Sequence, residues 1–276
     1  MSRGPVFRTA RRDEIDLMLD WAAAEGWNPG IDDADPFHAA DPEGFFVADI
    51  DGAAIAAISV VNHSERMAFL GFFICRPDMR GRGIGHDLWN HALAHAGART
   101  VGLDGVAAQE ANYARSGFVR AGASRRFAGR LADDPGADIR DFRPADLPAL
   151  LQLDTAACGY ARTAFLTAWL AAGTTRHTVV FEGLDGFATI RRCREGCKIG
   201  PIVAPDAGSA LRLASAASAR LPSDTLFIDA APGNAALAEK LQDLGFKETF
   251  ATARMYRGAA PVSDGALQAI ATMELG

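Results

Sequence analysis

The chain has 276 residues, of which 49% are hydrophobic and 22% are charged, so it has the composition of a globular protein long enough for two domains. Its net charge of −6 argues against a broad basic surface for nucleic acid. No apolar run reaches the ~18 residues of a membrane span, and no apolar core follows the N-terminal arginine as in a secretory signal. We therefore expect a cytoplasmic protein that binds neither nucleic acid nor membrane.

Cysteine and histidine follow no pattern typical of a metal site or a disulfide framework. Cys75, Cys158, Cys193 and Cys197 are scattered, whereas disulfide frameworks belong to short secreted chains. Cys193 and Cys197 are close together, but no histidine or second cysteine pair accompanies them, as a tetrahedral zinc site would require. We therefore expect no metal.

Strands and helices alternate through residues 1–131, the first half. Residues 8–18 predict a short strand and then a helix whose acidic first turn suits the helix dipole. The next elements are a hairpin of 45–50 with 53–63, an apolar strand at 68–75, a helix at 87–96 and a strand at 100–106. A further helix ends at Gly117, which can take the left-handed cap, and a last strand follows. This order predicts a mixed α/β sheet.

The same order recurs in residues 138–260, the second half. Residues 140–150 repeat the arginine-ended strand and acidic helix start of the opening. Pro205-Asp206 falls opposite Pro77-Asp78 at nearly the same offset that relates the Gly-Phe pairs closing the two halves. Three matches in order make a tandem duplication the best explanation of the chain.

The duplication predicts a domain at 1–131, a second at 138–260 and a C-terminal tail at 261–276. The small, acidic and turn-forming residues 132–137 suit a linker between the two domains. Within the tail, residues 264–274 are compatible with a short helix.

Residues 80–85, the glycine loop, lie between an apolar strand and a helix. Gly81, Gly83 and Gly85 lack the Cβ atoms that would keep a phosphate away from the backbone. The unpaired N–H groups of the following helix and the side chains of Arg80 and Arg82 would add hydrogen-bond donors. The loop therefore predicts an anion site, with a plain glycine turn as the alternative.

The segment 73–85 resembles motif A of the GNAT acyltransferases. The resemblance implies an acetyl-CoA co-substrate whose pyrophosphate lies on the glycine loop and whose pantetheine arm pairs with the preceding strand end. The residues implied in binding are Phe73, Ile74, Cys75, Arg80, Gly81, Arg82, Gly83, Ile84 and Gly85. A backbone N–H near Ile74 and Cys75 would then polarise the acetyl carbonyl.

Tyr113, four residues before Gly117-Phe118, resembles the GNAT tyrosine that protonates the departing thiolate. The alternative is a core aromatic residue of an amphipathic helix. Segments 25–30, 102–106 and 252–258 look like the two-domain GNAT family typified by bacterial YitH-like proteins, over about residues 6 to 258. This resemblance implies two tandem GNAT folds, each a mixed, mostly antiparallel sheet flanked by helices.

The second half differs from the first at the positions of both the glycine loop and Tyr113. Its counterpart of the glycine loop falls on residues 208–213, which lack the alternate glycines. Ser209 could cap a helix there, whereas Leu211 and Leu213 would crowd a pyrophosphate. Leu241 stands at the position of Tyr113. We therefore expect a degenerate copy that completes the acceptor cleft or the interface between the halves.

Four residues are predicted on the acceptor side: Trp27, Asn28, Asp32 and Gln109. Trp27, Asn28 and Asp32 follow the first helix, in the segment that walls the acceptor site of GNAT folds, and Gln109 follows a strand end. The alternative is a loop packed by its own tryptophan. In the second half, Tyr160, Arg162, Asp229 and Asn234 are more consistent with structural roles than with ligand binding.

An amine must lose a proton during attack on a thioester, yet the sequence singles out no general base. Glu25, Asp32, Glu110 and His63 are all candidates. The leading hypothesis is acetyl transfer from acetyl-CoA to a primary amine of a small molecule. A protein or peptide acceptor and a non-catalytic acyl-CoA sensor are the alternatives, and the oligomeric state is not readable.

Overall fold

The computed structural model describes residues 4–132, 134–171 and 173–276. Thirteen strands of this part of the chain form one continuous sheet. They are β1 (Val6–Thr9), β2 (Phe45–Ile50), β3 (Ala53–Asn62), β4 (Met67–Cys75), β5 (Thr100–Gly105), β6 (Val119–Gly129), β7 (Ile139–Asp141), β8 (Arg176–Phe181), β9 (Phe187–Arg192), β10 (Cys197–Val203), β11 (Leu226–Ala230), β12 (Lys247–Arg257) and β13 (Leu267–Ala269).

Helices flank the sheet. They are α1 (Arg12–Ala24), α2 (Ala34–Ala40), α3 (Ile84–Leu93), α4 (Glu110–Arg115), α5 (Leu147–Cys158), α6 (Thr163–Trp169), α7 (Ala207–Arg220) and α8 (Ala235–Asp243). The apolar face of α3 packs on β2, β3 and β4, and α7 packs in the same way on β8, β9 and β10. In the described ranges, no helix is both long enough and apolar enough to cross a membrane.

The predicted mixed, mostly antiparallel sheet is confirmed. The described strand pairs are antiparallel except for β4 with β5 and β10 with β11. The hairpin of β2 and β3 turns at Asp51 and Gly52, whose φ values of 52° and 86° suit the tight turns of hairpins. In each half, the parallel pair is formed by the fourth and fifth strands of that half.

The last strand of each half lies inside the other half's part of the sheet. The order runs β1-β2-β3-β4-β5-β12-β6-β11-β13-β10-β9-β8-β7. A buried ion pair accompanies each exchange: Arg126 on β6 lies 2.6 Å from Asp229, and Arg254 on β12 lies 2.6 Å from Asp104. The predicted division at 131 and 138 stays a prediction, and residue 133 of the proposed linker lies outside the described ranges.

The two parallel pairs separate after a few residues and leave a wedge-shaped opening in each half. In the first opening, β4 and β5 pair only from Met67–Thr100 to Leu70–Leu103. In the second opening, β10 and β11 pair only from Cys197–Leu226 to Ile199–Ile228. The first opening leads into a cavity, whereas the second is filled by the chain itself.

The segment that fills the second opening is the tail, residues 261–276. The prediction of a short helix at 264–274 was wrong. Within this range, β13 pairs with Ile202 and Val203 on one side and with Ala230 on the other. Backbone groups at the separated strand ends need hydrogen-bond partners, and an extended segment supplies them where a helix cannot.

Candidate active site

A cavity of about 450 Å³ occupies the first opening of the sheet. Both halves and the tail contribute to its wall. The lining residues are Glu25, Trp27, Leu70, Gly71, Phe72, Phe73, Ile74, Cys75, Arg80, Leu103, Asp104, Val106, Gln109, Tyr113, Phe250, Thr252, Met273 and Glu274. The predicted strand residues, Tyr113 and two of the predicted acceptor residues are thus brought together.

A β-bulge in β4 shapes one wall of the cavity. Ile74 pairs with Ala57 and Gly71 pairs with Ser59, so two residues of β4 face a single residue of β3. One of them, Phe72, has a φ of 50°, which is uncommon for a bulky side chain. A bulge interrupts the ladder of hydrogen bonds and so frees backbone groups for a ligand. Phe73 lies in the bulge, and Ile74 and Cys75 follow it, where β4 still pairs with β3 but no longer with β5.

The glycine loop connects this strand to α3. Gly81 and Gly83 have φ values of 77° and 81°, which favour glycine, and Gly83 directly precedes the helix. A Cβ added at either position would meet no atom within 4 Å. The loop therefore needs these glycines for its backbone conformation, and it presents backbone and a helix N-terminus to open space. Such an arrangement can bind an anion.

The two arginines of the glycine loop differ in their surroundings. Arg80 donates from Nε to the Cys75 carbonyl at 2.9 Å and from Nη2 to Glu25 at 2.7 Å, so it ties the loop to β4 and to the end of α1. Arg82 is exposed and makes no hydrogen bond or ion pair within the described ranges. Of the two, Arg82 is the one whose donors remain available to a phosphate.

Tyr113 lies on α4 with 8% of its surface exposed. Its ring stacks on Trp89, with centroids 5.6 Å apart, and lies against Gly105, where an added Cβ would be 2.4 Å from the ring. Burial raises the pKa of the phenol to about 12. Its hydroxyl makes no hydrogen bond to any described residue, so the side chain carries a proton that a ligand in the cavity could receive.

The predicted acceptor residues separate into two pairs. Trp27 and Gln109 line the cavity. Asn28 and Asp32 do not: Asn28 exchanges two hydrogen bonds with the backbone of Glu195, and Asp32 accepts one from Thr175. The segment after α1 therefore turns these two polar side chains towards the second half, where they stabilise the contact between halves.

Four cavity residues come from distant parts of the sequence: Phe250, Thr252, Met273 and Glu274. Sequence reasoning missed them because the strand exchange brings β12 beside β5 and because the tail had no recognisable pattern. One signal was available at Gly71, an isolated glycine within an apolar strand, which indicates close approach by another segment. A Cβ there would lie 2.1 Å from the carbonyl oxygen of Glu274.

All four base candidates are already engaged in contacts that limit them. Glu25 pairs with Arg80 and Asp32 bonds to Thr175. Burial lowers the pKa of His63 to about 4, and its Nε2 lies 2.8 Å from the Leu275 carbonyl. Glu110 lies 3.5 Å from Arg120 and does not line the cavity.

Asp104 was not among the base candidates but does line the cavity. Its carboxylate accepts hydrogen bonds from Ser124, Thr252 and Arg254.

The second half has no counterpart of the glycine loop. Its helix α7 begins at Ala207, and the Asp206 carboxylate accepts hydrogen bonds from the N–H groups of Gly208 and Ser209. Ser209 is therefore not the cap, and the predicted crowding by leucines was wrong, because Leu213 packs into the core. The cap carboxylate already fills the place where this helix end could hold a phosphate.

The remaining second-half candidates have structural contacts. Arg162 pairs with Asp154 at 2.7 Å, and Asn234 caps α8 by accepting from the Leu237 N–H. Tyr160 packs beside His63, with ring centroids 5.8 Å apart. Leu241, at the position of Tyr113, is fully buried. Within the described ranges, no group of three or more histidine, cysteine or acidic residues could hold a metal ion.

Comparison with known proteins agrees with this division into halves. The sequence model of the acetyltransferase (GNAT) family matches residues 13–122, and that of an acetyltransferase (GNAT) domain matches residues 150–268. Holothin acyltransferase of Pseudoalteromonas sp. (strain SANK 73390) is 34% identical over 277 residues, covering 98% of this chain and 94% of that protein.

Two solved structures show the same fold at low identity. A putative acetyltransferase from Pyrococcus horikoshii superposes with a TM-score of 0.82 at 19% identity, covering 100% of this chain and 97% of that one. A tandem GNAT protein from the clavulanic acid biosynthesis pathway superposes with a TM-score of 0.59 at 17% identity, covering 94% and 100%. The chain therefore belongs to the GNAT acetyltransferases and contains two GNAT-type halves.

Proposed function

We propose that the protein transfers an acetyl group from acetyl-CoA to a primary amine of a small molecule. The observation that carries the proposal is one cavity joining the β4 bulge, the end of the glycine loop at Arg80 and the Tyr113 phenol. In the second half, α7 is capped by Asp206 and the opening is filled by β13. Acetyl-CoA would therefore bind in the first half only. We also propose that the chain falls in the YitH-like group.

The proposed reaction is direct attack. The pyrophosphate would bind the glycine loop and Arg82, and the pantetheine arm would run along the bulged end of β4. The neutral amine nitrogen attacks the thioester carbon, a C–N bond forms, and a backbone N–H at the bulge stabilises the oxyanion. The C–S bond then breaks, the Tyr113 phenol protonates the thiolate, and the nitrogen releases its extra proton. Because the phenol pKa is raised, it holds this proton at every ordinary pH.

The cavity favours a small acceptor with an apolar body. Its volume of about 450 Å³ lies in the range of small-molecule sites. Trp27 and Phe73 of the first half face it together with Phe250 and Met273, which lie later in the chain. The name of the bacterial relative describes acyl transfer to holothin, which supports transfer to a small acceptor here too.

The test is CoA release from acetyl-CoA with a panel of apolar amines, amino acids and short peptides. We expect release with at least one small amine and slower release with peptides. Faster release with peptides would favour a peptide acceptor. If acetyl-CoA binds in calorimetry and no member of the panel releases CoA, the catalytic proposal fails and an acyl-CoA sensor is the better account.

A further inference from the structure

Three carboxylates line the cavity, and one of them has no partner. Glu25 pairs with Arg80, and Asp104 is held by Arg254 and two hydroxyl groups. Glu274 is 4% exposed, yet no described residue forms a hydrogen bond or ion pair with its carboxylate. Both carboxylate oxygens nevertheless retain some contact with solvent. The carboxylate therefore keeps its access to solvent through the cavity that the residue lines.

The tail holds Glu274 at this place by contacts with both halves. β13 fills the second opening, and the Ile270 carbonyl then lies so close to Gly200 that a Cβ there would be 2.1 Å away. A Cβ on Gly71, next to the β4 bulge, would likewise lie 2.1 Å from the carbonyl oxygen of Glu274. A segment built in this way holds a side chain in a fixed position, as a catalytic group requires.

Contacts on either side of Glu274 fix the last turn of the tail. The Thr272 hydroxyl accepts hydrogen bonds from the N–H groups of Glu274, at 2.9 Å, and Leu275, at 3.2 Å. His63, which directly follows β3, contacts the Leu275 carbonyl at 2.8 Å. The backbone at Glu274 is therefore fixed, while its carboxylate makes no hydrogen bond within the described ranges.

Two buried arginines interact electrostatically with Glu274. They are Arg126 on β6 and Arg191 on β9, and their own bonded partners are Asp229 and Asp33. The other ionisable groups on the cavity wall are Glu25, Cys75, Arg80, Asp104 and Tyr113. Of these, Glu25, Arg80 and Asp104 are paired, and burial keeps the Tyr113 phenol and the Cys75 thiol protonated by raising their pKa values.

We propose that Glu274 accepts the proton that the acceptor amine loses during acyl transfer. This role rests on the proposed function. The ammonium form of the acceptor passes one proton to the Glu274 carboxylate, the neutral nitrogen forms the C–N bond, and the C–S bond breaks. The Tyr113 phenol protonates the thiolate, and the second nitrogen proton is released to solvent. Exchange with solvent then returns both side chains to their starting states, so protons balance over the cycle. The acceptor class that fits is an amine carried by an apolar body.

The test compares Glu274→Gln with the wild-type full chain, using acetyl-CoA and the most active amine of the panel. Glu274→Gln preserves the shape of the side chain but removes the carboxylate that would accept the proton. We expect kcat/KM near pH 7 to fall by about 100-fold, a typical contribution of general acid–base catalysis. The deficit should shrink towards about pH 10, where solvent has already deprotonated the amine. Acetyl-CoA affinity should not change.

Two further variants separate chemistry from structure. Glu274→Asp should keep part of the activity, and Glu239→Gln, on the exposed face of α8, should keep all of it. Half or more of the wild-type activity in Glu274→Gln, or an equal loss at every pH, would overturn the role of Glu274 and leave the proposed function intact. A wild-type chain that binds acetyl-CoA but acylates no amine would overturn both.

Discussion

Tyr113 can lie against β5 because Gly105 has no side chain. The ring occupies the place of the missing Cβ and stacks on Trp89, so its position is set by packing alone. With its pKa raised to about 12, the hydroxyl stays protonated, as the proposed role of a proton donor requires. The chemistry of the residue thus follows from the burial of its ring.

Tyr113→Phe keeps the ring packing and removes only the hydroxyl group. We expect kcat to fall by about 100-fold while acetyl-CoA affinity stays the same, the pattern of an interaction made in the transition state. Because the raised pKa keeps the phenol protonated from about pH 6 to 10, the deficit should be constant over that range. Steady-state kinetics and calorimetry measure the two quantities, and an unchanged kcat would exclude proton donation by Tyr113.

Gly83 and Gly245 provide a matched pair of substitutions. Both glycines have positive φ, 81° and 87°, and a Cβ at either meets no atom within 4 Å. A leucine at each should therefore lower the free energy of unfolding by a similar amount, about 1–2 kcal/mol. Only Gly83→Leu should abolish acetyl-CoA binding in calorimetry, because only its side chain would project from the glycine loop. Equal binding by both variants would contradict the assigned anion site.

At the level of elements, the tail is the segment that connects the two openings. Gly200→Ala would place a methyl group against the Ile270 carbonyl, so we expect a loss of about 1–3 kcal/mol in the free energy of unfolding. The amides of 267–276 should also lose protection in hydrogen exchange. Gly183→Ala, whose Cβ would make only an ordinary contact with Asp185, is the control. Unchanged protection in Gly200→Ala would show that the glycine does not position the tail.

The elements that the sequence predicted well are those specified by local signals. The apolar run of β4, the hairpin turn at Asp51 and the start of the second half all depend on residues close together in the chain. β13 could not be predicted in this way, because its partners β10 and β11 lie far from it in sequence. The direction of Asn28 and Asp32 was equally unreadable, since it depends on contacts with Glu195 and Thr175.

Over the whole molecule, the exchange of β6 and β12 makes the two halves one structural unit. Arg126 and Arg254 occupy equivalent positions of these strands, and each pairs with an aspartate across the exchange. Asp229 could be read from the sequence as a polar group with a structural role, but neither aspartate could be read as the partner of one of these arginines. Because a buried charge is unfavourable without its partner, the pairs favour this one arrangement of the last strands.

The two halves differ in what fills the opening of the sheet. The first opening holds the cavity with the bulge and Tyr113, and the second opening holds the tail. The tail in turn carries Met273 and Glu274 to the wall of the first opening's cavity. On the proposed function, the second half is a frame for the active site and not a second active site.

Calorimetric titration of the full chain with acetyl-CoA measures how many molecules bind per chain and so tests whether one half or both halves bind the co-substrate. We predict one molecule bound per chain, because Asp206 caps the helix of the second half and β13 fills its opening. The same titration of Gly83→Leu should then show no binding. Two molecules bound per wild-type chain, or one still bound by Gly83→Leu, would contradict the account.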